Sequence, residues 1–277
     1  MNTNMQPVFL GHPGPFGDII VCAPIAKEYA DRGHKVYWPA RVEYLDLLDR
    51  FNYVSPLPLP HMCLIQEKWA SPREAQNLSD ILMSQSICSE MGGKYLHVGD
   101  RFVDGQSPLP SDKDGKPLPP NTSDLSLSLR EGETIEEKKY RISEVDFEKK
   151  YTLNWKRDKD KENKLFDLVV SSDNYVFGHL LQSDSTHSSL PSEETRELVE
   201  ARIIEGYTIL DWYKVIVNAK AVYCIESSFQ CFVDGIRDQV KNKYLLSTKE
   251  GITTTTSRDW DRKFMGVHRR IYDGKGI

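Results

Sequence analysis

Nowhere in its 277 residues does this chain carry 18 consecutive apolar residues, the length a spanning helix needs, so no membrane-crossing helix is expected. Cysteine is scarce: five, at positions 22, 63, 88, 224 and 231, with no C-x-x-C pair. An odd, scattered set suits buried free thiols in a reducing compartment better than a disulfide framework or a zinc site. No excess of positive charge is present. Lys and Arg number 36 against 41 Asp and Glu, a net charge of −5, which gives no overall attraction to nucleic acid or anionic lipid. The N-terminus lacks a basic n-region and its apolar stretch is interrupted by GHPGPFGD, so no signal peptide is read and a cytoplasmic location is expected. G-x-G-x-x-G is missing after the first strand, and no acid ends the second strand; both absences disfavour NAD.

What is present fits a folded protein with a substantial core. Hydrophobic residues make up 39% and charged residues 28% of a chain long enough for two modest domains. Val8 to Leu10 reads as a buried strand, GHPGPFG as its break, and the segment from Asp18 to Gly33 as a helix. A second strand is expected over Lys35 to Pro39. A helix follows through VEYLDLLDRF, with Val42, Leu45, Leu48 and Phe51 at helical spacing. A short strand near Val54 to Leu57, a helix through PREAQNLSDILMSQSI and a strand over Lys94 to Val98 complete the first alternation. Residues 100 to 135, dominated by Pro, Ser, Asp and Gly, read as a long loop.

Helix is expected again from Ser143 and through NWKRDKDKENKLFDLVV. NYVFGHL (Asn174 to Leu180) reads as a strand and SLPSEETRELVEA as a helix capped by Ser189 or Ser192. TILDWYKVIVNAK reads as a helix, AVYCIE as a strand, SSFQCFVDGI as a helix and KYLLST as a last strand. Strand-helix alternation in both halves predicts an α/β fold of two Rossmann-like lobes with a ligand cleft between them. The expected boundary divides residues 1–142 from 143–277.

Three clusters carry chemistry. In the first loop, Gly14 and Gly17 let a ligand approach the backbone, and the helix that follows offers free N–H groups. Asp18 in its first turn is a candidate base, although an acid there also simply complements the helix dipole; His12 competes for the role of base. In the second half, Glu226, Ser227 and Ser228 head a helix and suit a diphosphate, with an ordinary N-cap as the plainer reading. GHLLQSDSTHSS (Gly178 to Ser189) adds His179 and His187 in a donor-rich loop. Arg258 to Arg270, with Trp260, Phe264 and His268 interleaved, could touch a nucleic acid backbone or base.

GDIIVCAPIAKEYADRGHKVYW resembles the N-terminal motif of the heptosyltransferase-like (family 9-like) branch of GT-B glycosyltransferases, and VIVNAKAVYCIESSFQCFVD is similar to that branch's C-terminal motif. KYRISEVDFEKKYTLNWKRDKDKENKLFD is also similar to glycosyltransferase-like proteins of viruses and environmental bacteria. The resemblance implies Asp18 as catalytic base with His12 as competitor. It places the donor phosphate on Ser227 and Ser228; Gly17, His179, His187 and Glu226 are expected beside them on the donor side, and Gly14, Phe16 and Arg41 on the acceptor side. It implies an inverting transfer from a nucleotide sugar, such as a UDP-sugar, with no metal and no other cofactor. A glycan is the default acceptor and hydroxymethylated DNA, as for phage enzymes, the alternative. A non-catalytic nucleotide- or sugar-binding protein is the other reading. Phe229 stands where the branch has a glycine after the serine.

Overall fold

The computed structural model describes residues 5–11, 16–59, 72–98, 130, 132–181, 187–247 and 260–264. The apolar run Val-Phe-Leu lies on β1 (Val8–Gly11), whose four residues are all buried, as a central parallel strand requires. It feeds α1 (Phe16–Asp31), which buries Ile19, Ile20, Val21, Cys22 and Ile25 and ends before Gly33 in the left-handed region at φ 93°. Then come β2 (Val36–Arg41), α2 (Leu45–Leu48), β3 (Val54–Leu59), α3 (Pro72–Glu90) and β4 (Lys94–His97). The sheet has the order β3-β2-β1-β4 with every pairing parallel.

The chain continues through α4 (Ile135–Ile142), a 3-10 turn (Phe147–Tyr151) and α5 (Lys159–Val169) into β5 (Tyr175–His179) and β6 (Glu197–Glu200). α6 (Tyr213–Asn218), β7 (Val222–Cys224), α7 (Ser228–Gly235), β8 (Lys243–Ser247) and β9 (Asp261–Phe264) follow. This second sheet has five strands in the order β6-β5-β7-β8-β9, again all parallel. One apolar cluster runs from Leu10 and Ile19 through Tyr140 to Phe177, Phe232 and Leu245, so residues of both sheets belong to one buried cluster, with α1 packed on α7.

A buried polar hub joins the same elements. The Lys150 ammonium, 1% exposed, bonds Glu136 of α4 at 2.6 Å and Asp234 of α7 at 2.9 Å. Asp234 also accepts from Trp260 Nε1 at 2.6 Å and Gln230 Nε2 at 2.5 Å. Burial raises the Asp234 carboxyl above the usual range, while Lys150 lowers it.

Several expected elements differ. The helix expected from Val42 is a 3-10 turn (Val42–Tyr44) plus the four residues of α2, and Val42 is 63% exposed. Helix in the segment from Asn154 begins only at Lys159, where Asp158 caps it by accepting from Lys161 N at 3.0 Å. Trp155 therefore precedes α5 and packs on Tyr213 and Phe232. RELVEA is not helical: Glu197–Glu200 is the edge strand β6, which exposes Glu197 and buries Val199. α4 lies where no helix was read. Trp260 is buried against Asp234 rather than available to stack a base. Cys22, Cys88 and Cys224 are buried thiols outside any disulfide and Cys231 is half-buried; Cys63 lies outside the described residues. Residues 100–129 of the expected long loop do too. No described helix is long and apolar enough to cross a membrane.

Candidate functional site

In open parallel sheets, ligands bind beyond the carboxyl ends of the strands where the strand order reverses. The first sheet reverses between β1 and β4, and the second between β5 and β7. Gly11 ends β1 and α1 begins five residues later at Phe16; His179 ends β5, and Glu226 to Ser228 lead from β7 into α7. Gly17 and Asp18 of the first cluster therefore stand at one reversal point, and His179 with Glu226 to Ser228 at the other.

The two helix starts meet. A Cβ placed on Gly17 would come within 3.3 Å of Ser228 Cα and 3.5 Å of Cys231 Sγ. A side chain there would fit only if α7 gave way by a few tenths of an ångström. The positive ends of both helix dipoles thus face one region. Asp18, 22% exposed, is bonded through Oδ1 to the Lys139 ammonium, which is 2% exposed. Lys139 belongs to α4 and was absent from the sequence-derived site. The signal for its helix was there: Thr134 and Glu137 form a capping box, with Glu137 N donating to Thr134 Oγ1 at 3.2 Å and Thr134 N to Glu137 Oε2 at 2.9 Å.

On the other side, Ser227 is the N-cap of α7, its hydroxyl accepting from Gln230 N at 3.4 Å. Ser228 is the first helical residue, and Glu226 is exposed in the preceding turn. Phe229 packs against His179, ring centroids 4.9 Å apart. Burial pulls the His179 imidazole down to about 4. Its Nδ1 is buried without a hydrogen-bond partner among the described residues. His187 is turned to the edge strand: its Nε2 lies 2.6 Å from Glu200 Oε1. His12 and Gly14 lie outside the described residues.

The β2 end carries the remaining residues. Arg41 donates through Nε to buried Asp80 at 2.6 Å, and Gln76 donates to the same carboxylate at 2.8 Å. Phe16, 42% exposed, meets the Tyr44 ring edge-on at a centroid distance of 5.0 Å. Tight packing also explains Gly11, since a Cβ there would lie 2.0 Å from the Tyr95 hydroxyl.

No family model matches the sequence, and no curated protein matches it either. Among solved structures, the chain is similar to the glycosyl transferase family 9 protein from Veillonella parvula DSM 2008, with a TM-score of 0.54 over 96% of this chain and 87% of that one. At 8% identity the likeness is one of fold. The chain has a mixed α/β architecture with parallel sheets, consistent with a GT-B-like neighbour.

Proposed function

We propose that this protein is a glycosyltransferase that takes a nucleotide sugar as donor, with residues 1–142 on the acceptor side and 143–277 on the donor side. The observation that carries the reading is the meeting of α1 and α7 at Gly17 and Ser228, each helix starting at a strand-order reversal. The fold likeness to a family 9 glycosyltransferase supports it.

Two helix N-termini give the site a positive potential suited to the phosphates of a nucleoside diphosphate. The Ser228 hydroxyl and the orphan N–H groups of α7 stabilise the leaving diphosphate as charge develops on it. His179 borders the same reversal point as a neutral ring. Asp18, oriented by Lys139, takes the proton of the acceptor hydroxyl as that oxygen attacks the anomeric carbon from the face opposite the leaving group, giving inversion.

A thermal-shift screen of the full chain against nucleoside diphosphates and nucleotide sugars tests this. A binder of the native state raises Tm. Asp18→Asn is expected to keep the shift and lose transfer. No shift with any member of the panel would overturn the reading.

A further inference from the structure

Lys139 and Tyr140, neighbours on α4, reach residues one turn apart on α1. The Lys139 ammonium bonds Asp18 Oδ1, and the Tyr140 hydroxyl donates to Val21 O at 2.8 Å. Glu136, one turn earlier on α4, is bonded to Lys150. Asp18 follows Gly17, which lies against Ser228 at the start of α7. A cation that is 2% exposed is thus held by a carboxylate that water reaches, at the place where both helices begin. Cys231 also borders Gly17, and burial pushes its thiol well above the usual range, so it adds no charge of its own.

A buried ammonium is costly without an opposite charge. The proposed transfer takes that charge away from Asp18. The acceptor oxygen bonds the anomeric carbon and its proton passes to the Asp18 carboxylate, while the electron pair of the broken carbon–oxygen bond leaves on the diphosphate. One negative charge is lost at Asp18 and one is gained by the leaving group. We infer that Lys139 is the fixed cation of this exchange, counter-ion to Asp18 before transfer and to the diphosphate after it. The inference rests on the reading of Asp18 as base and of the α7 start as the phosphate site. Lys139 acts across a poorly screened interior, and a charge already in place costs no reorganisation as the leaving group departs. Loss of the Asp18 proton to water restores the ion pair and releases the diphosphate.

Isothermal titration of the full chain with UDP, ADP, GDP and CDP tests this without any acceptor. Asp18→Asn replaces the carboxylate by a neutral group, as protonation does. It is expected to bind the preferred nucleoside diphosphate about ten-fold tighter than wild type, the order that one partly buried charge contributes. Lys139→Met should bind it about ten-fold more weakly, and the double variant should return close to the wild-type constant. A merely structural role for the pair predicts weaker binding by every variant. Melting temperatures establish which variants are folded. If Lys139→Met is not, Asp18→Asn against the double variant carries the test, because the double variant leaves neither charge of the pair. The inference is overturned if Asp18→Asn binds no tighter than wild type, or if its gain persists undiminished in the double variant. Either result with binding by wild type leaves the donor reading standing. Binding of none of the four by wild type or by Asp18→Asn overturns both.

Discussion

Gly17 and Ser228 approach so closely that a methyl group on Gly17 would stand 3.3 Å from Ser228 Cα. Residues 211 positions apart in the sequence (228 − 17) thus bring the starts of two helices together. A larger side chain at 17 must push those helices apart. Gly17→Val is expected to destabilise the fold by about 1–3 kcal/mol, as overpacking does. Urea unfolding of wild type and variant measures it. An unchanged midpoint would contradict the contact.

The polar hub makes a sharper prediction. Lys150→Met strands Glu136 and Asp234 as buried carboxylates without their shared cation. Removing one partner of a buried ionic group costs about 3–5 kcal/mol. The triple variant Glu136→Gln, Lys150→Met, Asp234→Asn removes the charges together and is expected to recover most of that loss. Recovery of none of it, by equilibrium denaturation, would show that the charges are not what couples these residues.

His179 should impose a pH dependence on stability. Burial takes its imidazole from an ordinary 6.5 down to about 4 in the folded chain. Between those values the unfolded chain binds the proton and the folded chain does not, so stability is full above about 6.5 and falls as the pH drops toward 4. His179→Gln is expected to flatten this part of the stability profile. Denaturant midpoints measured across the window provide the check.

Glu194 acts at lower pH. Its carboxyl is held at about 2, chiefly by hydrogen bonds from Arg196, with Tyr223 donating as well. An unfolded glutamate titrates near 4.5, so the stability this group contributes is complete above 4.5 and is lost as the pH falls toward 2. Glu194→Gln should abolish that loss. A variant that still loses stability in parallel with wild type there would rule out the Glu194–Arg196 pair as its source.

Local sequence determined the elements whose residues make their own case. Val8 to Leu10 is a run of three apolar residues bounded by a glycine-rich break, and β1 forms there. The serine-headed segment from Ser227 becomes α7 because its first hydroxyl caps the helix. In these places burial and capping act over a few residues, so their signature is local. The reversal-point residues Asp18, His179 and Ser228 were legible for the same reason: they follow directly from strand ends.

Tertiary structure alone decided the rest. ELVE is too short, and too polar on its outer side, to be told from a helix by periodicity, and only pairing with β5 makes it a strand. The charged residues Glu136, Lys138 and Lys139 of α4 suggest a solvated surface, yet all three are buried. Burying a charge is unfavourable unless an opposite charge is brought to it. For Glu136 and Lys139 those partners, Lys150 and Asp18, come from elsewhere in the chain. Nothing within α4 announces them. The sequence by itself determined that Asp18 lies in the first turn of a helix that follows a strand's end; the fold decided that a buried lysine would hold it and that Ser228 would stand beside Gly17.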